Sequence, residues 1–103
     1  MRSQGYKLNA SSIKDAINPH NFYLREQNLC QFGYRSREWV TAGLCPFHED
    51  KKQGSFKVNV ASGAFRCWSC GACGSDIIAF IQKRDGLDFV DTLRKLSNDW
   101  GLS

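Results

Sequence analysis

Long apolar runs and clusters of acidic residues are both missing from this sequence of 103 residues. No segment is apolar for long enough to span a membrane, and the first ten residues, MRSQGYKLNA, lack the apolar centre of a secretion signal. No set of carboxylates resembles those that hold catalytic magnesium. We therefore expect a cytoplasmic protein whose thiols stay reduced.

Cysteine and positive charge, by contrast, are plentiful. Five cysteines in a reducing compartment favour metal binding over disulfides, and an odd number cannot all be paired with one another. A chain of this length has a marginal core, for which a bound metal is a common staple. The net charge is +4, and the excess lies in residues 1–75, which carry 10 Lys/Arg against 5 Asp/Glu. This excess favours a polyanionic partner, with solubility as the plainer explanation.

Alternating apolar and polar residues predict β-strands in the middle of the chain. Glu38–Cys45 alternates in this way, with Val40, Ala42 and Leu44 on one side and Trp39 and Thr41 on the other. Two further segments, Phe56–Val60 and Ala64–Cys67, flank a turn at Ser62-Gly63. They therefore predict a β-hairpin with one apolar and one polar face.

The region before these strands predicts short helices. Ser11 or Ser12 is a candidate cap for a helical turn through Ile17, and a second short helix follows from Pro19. We expect one domain overall, in which residues 1–35 form a helical or irregular segment that packs on a ribbon domain of residues 36–103.

The last quarter of the chain predicts two longer helices. The first begins near Ser75 or Asp76, with Ser75 as its cap, and Gly86 ends it. Asp88 caps the second. Apolar residues share one face of this second helix, which we expect to pack against the sheet: Phe89, Leu93, Leu96 and Trp100. The predicted fold class is α+β, a small zinc ribbon flanked by helices on both sides.

Two pairs of potential metal ligands lie at the ends of the predicted strands. Cys45-Pro-Phe-His48 and Cys67-Trp-Ser-Cys70 each place two donors two residues apart, and eighteen residues separate the pairs. The intervening hairpin would bring the two turns together. Thiolates and imidazole in such a set of four favour one tetrahedral zinc ion. Since the protein fills all four positions, the ion would be structural rather than catalytic.

Alternatives to this ligand set exist. Cys67 and Cys70 could form a redox disulfide, although no βαβ pattern surrounds them. Cys73 follows Cys70 at the same spacing and is the rival for the fourth position. Cys30 fits a small buried residue or an isolated thiol, and His20 fits a surface residue rather than a ligand.

The order and spacing of these motifs resemble the zinc-binding domain, with Cys-His-Cys-Cys ligands, of bacterial and phage DNA primases. The resemblance covers residues 36–100 and rests on Gly43-Leu-Cys-Pro-Phe-His48, Ser55-Phe56, Phe65-Arg-Cys-Trp-Ser-Cys-Gly71 and Gly74-Ser-Asp-Ile-Ile-Ala-Phe80, with Gly86-Leu-Asp-Phe89 and Leu93-Arg-Lys-Leu96 in the helical tail.

The resemblance implies a zinc ribbon that contacts single-stranded template DNA in primer synthesis, while a separate catalytic domain makes the RNA. It assigns the zinc ligands to Cys45, His48, Cys67 and Cys70. The chain departs from the family pattern at Gly54, where proline is usual, and at Cys73, where a small residue is usual. It also has no polymerase domain, so we expect that it is not itself an enzyme. It would be either a fragment of a primase or a free-standing relative of the kind that plasmids and mobile elements encode.

Single-stranded DNA is held by cations along its phosphates and by aromatic rings beneath its bases. Trp39 and Trp68 are the aromatic residues expected to face outward, although burial in the core, or shielding of the zinc by Trp68, would explain them too. The candidate cations near the ribbon are Arg35, Arg37, Lys51, Lys52, Lys57 and Arg66.

The second candidate function is that of a protein-interaction module. The helical tail, which is close to neutral, could dock on a partner protein such as a replicative helicase, a polymerase or a separate primase catalytic protein. A third possibility, a thiol oxidoreductase, conflicts with an intact zinc site.

Overall fold

The computed structural model describes residues 9–27, 38–49, 51 and 54–102, and these residues form two helices, a four-stranded sheet and two further helices. This order confirms the predicted α+β class. No helix in the described part of the chain is both long and apolar enough to cross a membrane. The elements are α1 (Ala10–Ala16), α2 (Pro19–Glu26), β1 (Trp39–Thr41), β2 (Phe56–Asn59), β3 (Phe65–Cys67), β4 (Cys73–Gly74), α3 (Ile77–Asp85) and α4 (Phe89–Asp99).

The four strands form one antiparallel sheet in the order β1-β2-β3-β4. Residues that pair directly across antiparallel strands lie on the same face. One row of such residues is Val40, Val58, Phe65 and Gly74, which defines the inner face of the sheet. The other row is Thr41, Lys57, Arg66 and Cys73, which defines the outer face. Trp39 precedes Thr41 by two residues and therefore lies on the outer face as well.

The core lies against the inner face and is rich in phenylalanine. Phe56, Phe65 and Phe80 are almost completely buried, and the Phe65 and Phe80 rings meet edge to face with centroids 5.4 Å apart. The Phe65 ring also covers Gly74, where an added Cβ would lie 2.4 Å from its Cε1 atom. A glycine at this position of β4 is therefore what lets the ring lie flat against the neighbouring strand.

Helix α2 ties the N-terminal segment to this core. The Tyr23 hydroxyl donates a buried hydrogen bond of 2.7 Å to the carbonyl of Gly63, at the tip of the β2–β3 hairpin. The Gln27 amide, just after the helix, donates to the carbonyls of Ala42 and Leu44. The N-terminal helices thus hold both the hairpin turn and the backbone that leads into Cys45.

Side chains at the helix N-termini show how local sequence sets the boundaries. Asp76 and Asp88 cap α3 and α4 by accepting from Ala79 N and Asp91 N. Asp76 therefore takes the capping role predicted for Ser75. Asn9 caps α1, so the prediction of Ser11 or Ser12 was wrong. Asparagine competes well for this position because its short side-chain oxygen reaches the backbone N–H groups of the first turn.

Two further predictions about the apolar pattern need correction, and one strand was missed. Strand β1 ends at Thr41 instead of Cys45, because the backbone turns at Gly43, whose φ is 62°, and Leu44 is exposed. Strand β4 was not predicted. Phe89, the first residue of α4, was expected to pack against the sheet but is 47% exposed. Helix α4 packs mainly on α3 and α1 rather than on the sheet, and Phe89 lies outside that contact.

Candidate metal centre and nucleic-acid interface

The four predicted ligands come together at one end of the sheet. The donor atoms of Cys45, His48, Cys67 and Cys70 all lie within 4.8 Å of one another. The two cysteine sulfurs of Cys45 and Cys70 are 3.9 Å apart, and the Cys67 sulfur is 3.5 Å from Nε2 of His48.

These separations fit a tetrahedral zinc ion. Bonds of about 2.3 Å to sulfur and about 2.0 Å to nitrogen place neighbouring sulfurs about 3.8 Å apart, and a sulfur and a nitrogen about 3.5 Å apart. The observed sulfur–sulfur and sulfur–nitrogen distances match both values. The imidazole uses Nε2 toward the cluster, and the chemistry of three thiols and one imidazole is that of a structural zinc site.

Each ligand turn is held by backbone hydrogen bonds to a cysteine sulfur. Phe47 N–H donates to Sγ of Cys45 at 3.3 Å, and Cys70 N–H donates to Sγ of Cys67 at 3.4 Å. Gly71, with a φ of 83°, closes the second turn by donating its N–H to the carbonyl of Cys67. Two similar tight turns therefore present their donors to one point.

The pKa values of two of these thiols move in opposite directions. Burial raises the pKa of Cys45 to about 12. Burial also opposes ionisation of Cys67, but hydrogen bonds from the backbone N–H groups of Cys70 and Ser69 outweigh it and lower the pKa of Cys67 to about 7. Without a cation, the site therefore favours one thiolate, and a dication supplies the charge that a second and a third would need.

Phe47 is a residue of this site that the sequence interpretation missed. It lies between Cys45 and His48, and its ring packs on Phe65 and Phe80, with centroids 5.4 and 5.6 Å away. The first ligand turn is thereby anchored in the core. The signal available in the sequence was an aromatic residue placed between two polar ligands.

The structure separates Cys73 from the ligand cluster. Cys73 is exposed on the outer face, where it pairs with Arg66 across β3 and β4. Among the described residues, the metal-ligating group contains Cys70 and not Cys73. Cys67 and Cys70 form no disulfide with each other. His20 is exposed, as predicted, while Cys30 lies outside the described residues.

The outer face carries the exposed tryptophans. Trp39 and Trp68 are 44% and 64% exposed, so neither is a core residue. Together with Lys57 and Arg66 they line a depression of about 730 Å³ on the sheet, to which Phe65, Cys73, Gly74 and Ser75 also contribute. Four of the eight residues predicted to contact nucleic acid therefore lie around one concave surface.

The two cations of this surface have no carboxylate partner in the described part of the chain. The Arg66 guanidinium lies over the Trp68 ring, 4.3 Å from its centroid, and the Lys57 ammonium donates to the Thr41 hydroxyl at 3.0 Å. Both charges thus remain uncompensated by acidic side chains. Lys51 is exposed in the loop after His48 but does not line the depression, and Arg35, Arg37 and Lys52 lie outside the described residues.

A small α+β fold with a cluster of three cysteines and one histidine defines a zinc-ribbon protein. Residues 26–103 match the CHC2 zinc finger family, and the chain belongs to that family. Its cofactor is one structural zinc ion, for which the cluster at the end of the sheet provides a single site.

Curated relatives are DNA primases. The chain is 43% identical over 60 residues to the DNA primase of Deinococcus radiodurans, covering 58% of this chain and 10% of that protein. It is 48% identical over 59 residues to the DNA primase of Mycoplasma genitalium, covering 57% and 9%. The chain thus spans about a tenth of the length of these relatives.

A solved structure shares the fold. The crystal structure of the Aquifex aeolicus primase, which contains its zinc-binding and RNA polymerase domains, matches with a TM-score of 0.69 at 24% identity. The match covers 88% of this chain and 21% of the other.

Proposed function

We propose that Cys45, His48, Cys67 and Cys70 bind the zinc ion and that the outer face of the sheet binds single-stranded DNA as the template in primer synthesis. The observation that carries this proposal is the combination, on one concave surface, of two exposed tryptophans with two cations that lack carboxylate partners in the described residues. The names of the relatives supply the priming context.

Single-strand binding is the activity for which such a surface is suited. Aromatic faces stack on bases, and each stacked base contributes about 1–3 kcal/mol. Each phosphate neutralised by a lysine or arginine makes the slope of log K against log salt more negative by about 0.7. With Lys51, Lys57 and Arg66 engaged, we expect a slope of about −2 and weak binding that is lost quickly in salt.

In this proposal the zinc ion is a scaffold. It fixes the turn after β1 and the turn after β3, and these two strands carry Trp39 and Arg66. With all four donors supplied by the protein, no coordination position remains for a substrate. Polymerisation would then reside in a separate primase catalytic domain or protein, which this module would assist without being an enzyme itself.

Fluorescence anisotropy tests the DNA-binding proposal directly. Zinc-loaded protein is titrated into a labelled single-stranded oligonucleotide at roughly 50 and 200 mM salt, the range over which phosphate contacts weaken. We expect Trp68→Ala to weaken binding about 5- to 100-fold and Arg66→Gln to make the salt slope shallower by about 0.7. Phe89→Ala, which removes a half-exposed aromatic residue from α4, serves as the control. Absence of binding by the zinc-loaded protein at the lower salt would refute the proposal.

A second candidate function rests on α4. Phe89 and Val90 are 47% and 50% exposed at its first turn, where they form a small apolar surface away from the sheet. This surface suits a partner protein such as a replicative helicase or a primase catalytic protein. A complex that survives high salt and is lost in Phe89→Ala, with no binding of single strands, would favour this function over the first.

A further inference from the structure

The two ligand turns of the metal cluster are anchored in different ways. The second turn is part of the sheet, since Cys67 ends β3 and its N–H donates at 2.8 Å to the carbonyl of Ala72, next to β4. The first turn follows a strand that has already ended at Thr41, before the chain reaches Cys45. Its far side is fixed by the Phe47 ring in the core. Its near side, where the backbone enters the cluster, needs a different anchor.

The side chain of Gln27 supplies this anchor. Its amide nitrogen donates to the carbonyl of Ala42 at 3.1 Å and also to the carbonyl of Leu44. Gly43 lies between them with a φ of 62°, a left-handed conformation that turns the chain there. A carboxamide carries two N–H groups, so one side chain can satisfy both carbonyls. Gln27 therefore fixes the turn of backbone that leads directly into Cys45.

Gln27 is in turn held by the end of α2. Its backbone N–H donates at 2.9 Å to the carbonyl of Tyr23 and closes the last turn of the helix. The neighbouring Glu26 forms an ion pair of 3.0 Å with Arg84 of α3, and the two side chains are only 17% and 21% exposed. Because its backbone is fixed in this way, the amide needs little further ordering to keep its two hydrogen bonds.

We propose that Gln27 is a positioning residue for the zinc site and slows zinc release by holding the backbone before Cys45 in the geometry that coordination requires. The inference rests on the proposed zinc ligands and does not depend on DNA binding. Residues that orient metal ligands typically cost about 10–100-fold in metal affinity when they are lost. Gln27 acts one step further out, through two backbone carbonyls, so we expect an effect near the lower end, about tenfold.

The rate of zinc release tests this role. The zinc-loaded full chain is mixed with an excess of the chelating dye pyridylazoresorcinol, and release is followed by absorbance. Gln27→Leu removes both donors at nearly constant size and should release zinc about tenfold faster than the wild type. Gln27→Lys keeps a donor on a longer side chain and should lie between the two, and it preserves the comparison if the leucine variant does not fold.

Gln82 offers a matched control on α3. Its side chain is also partly buried and forms no hydrogen bond within the described residues. Gln82→Leu makes the same chemical change as Gln27→Leu and should release zinc at the wild-type rate. Equal acceleration in both leucine variants would overturn the specific role of Gln27.

A variant on the same helix separates positioning from general loss of stability. Tyr23→Phe removes the hydrogen bond to Gly63 at the tip of the hairpin, and the ligand turns lie at the other end of that hairpin. It should destabilise the fold yet leave zinc release close to the wild-type rate. If release followed general unfolding, Tyr23→Phe would accelerate it at least as much as Gln27→Leu, and that result would overturn the positioning role.

The order in which the thiols react gives a readout beyond the release rate. Zinc-loaded protein carrying Cys73→Ser, which removes an exposed thiol, receives a brief pulse of N-ethylmaleimide, and singly labelled molecules are mapped by peptide mass spectrometry. Gln27→Leu should raise the ratio of label at Cys45 to label at Cys67. An unchanged ratio, or release from Gln27→Leu at the wild-type rate, would overturn the inference and leave the ligand assignment intact. A wild-type protein that binds no zinc would overturn both.

Discussion

The two faces of the sheet use aromatic residues for different purposes. On the inner face, Phe56 and Phe65 are almost fully buried and contact other rings of the core. On the outer face, Trp39 and Trp68 are 44% and 64% exposed, and the Arg66 guanidinium lies over the Trp68 ring. Consecutive residues of a strand point to opposite faces, so Phe65 and Arg66 belong to different environments although they are adjacent in sequence. The inner face accounts for stability, and the outer face is available for recognition.

The cations of the helices and those of the outer face also differ, in whether they pair with carboxylates. Five lysines and arginines on the helices form ion pairs with carboxylates, whereas Lys57 and Arg66 on the outer face form none within the described residues. The paired cations are Lys14, Arg25, Arg84, Arg94 and Lys95. Since exposed ion pairs add little stability, this arrangement matters more for the surface potential than for the fold. The outer face of the sheet thus carries two cations without a carboxylate partner among the described residues, as do Lys51 in a loop and Lys83 on α3.

Removal of the metal should have the largest effect, because the sheet and therefore both of its faces would be lost. We expect Cys67→Ala, or chelation of the zinc, to unfold much of the domain, because zinc contributes about 10–16 kcal/mol of binding free energy in small fingers. Circular dichroism with metal analysis on the same sample measures this. A protein that is free of zinc yet unfolds cooperatively would contradict it.

Truncation of one aromatic residue on each face sharpens the comparison. Phe65→Ala should lower the free energy of unfolding by about 3–5 kcal/mol, since it leaves a cavity in the core. Trp68→Ala should change it by less than about 0.5 kcal/mol, as is usual for exposed positions. Urea denaturation of both variants with zinc bound compares them. Similar losses in both would show that the outer face is also structural.

Loss of a single hydroxyl tests how α2 supports the inner face. Tyr23→Phe removes the hydrogen bond to Gly63 and should cost about 1–3 kcal/mol, because a buried carbonyl loses its partner. Thermal denaturation of the wild type and the variant near neutral pH measures the loss, and equal stability of the two would contradict the structural role of this hydrogen bond.

The same tyrosine predicts a response to alkaline pH. Burial, with a further contribution from the carboxylate of Asp76, raises the pKa of Tyr23 well above its usual value near 10. Its stabilising contribution is therefore complete below about pH 10 and is lost as the pH rises further, because only the unfolded chain ionises readily there. Wild-type protein should lose more stability than Tyr23→Phe between pH 9 and 11, and identical slopes would count against a buried neutral phenol.

The smallest effect is expected at Cys73. Its place on the outer face, away from the ligand cluster, means that Cys73→Ser should leave zinc stoichiometry unchanged and the free energy of unfolding within about 0.5 kcal/mol. Metal analysis after gel filtration checks the stoichiometry. Loss of zinc would place Cys73 in the coordination shell and remove it from the outer face.

Much of this arrangement could be predicted from the sequence because it is set by local patterns. The alternation of Phe56–Val60 defines the hairpin, and the paired turns at its end define the metal cluster. The caps at Asp88 and Gly86 follow from short-range backbone requirements. The four ligand atoms needed only that the hairpin fold back on itself.

What the sequence could not predict depends on tertiary contacts. Strand β4 contains only two residues, Cys73 and Gly74, which is too short to show a period, and it exists because it pairs with β3 beneath the Phe65 ring. Phe89 continues the apolar stripe of α4, but only the packing of that helix on α1 and α3 shows where the buried part of the stripe ends. The concave shape between Trp39 and Trp68 likewise requires the paired strands.

The hydrogen bonds from Tyr23 and Gln27 have a consequence for how the domain can be divided. The match to the CHC2 zinc finger family begins at residue 26, yet Tyr23 lies before that point and is wholly buried. A fragment that began at residue 36 would keep every zinc ligand but expose the underside of the hairpin tip and leave the carbonyls of Ala42 and Leu44 without the Gln27 amide. The family match thus begins after a residue that the fold buries, and a fragment meant to keep the hairpin tip covered has to include α2.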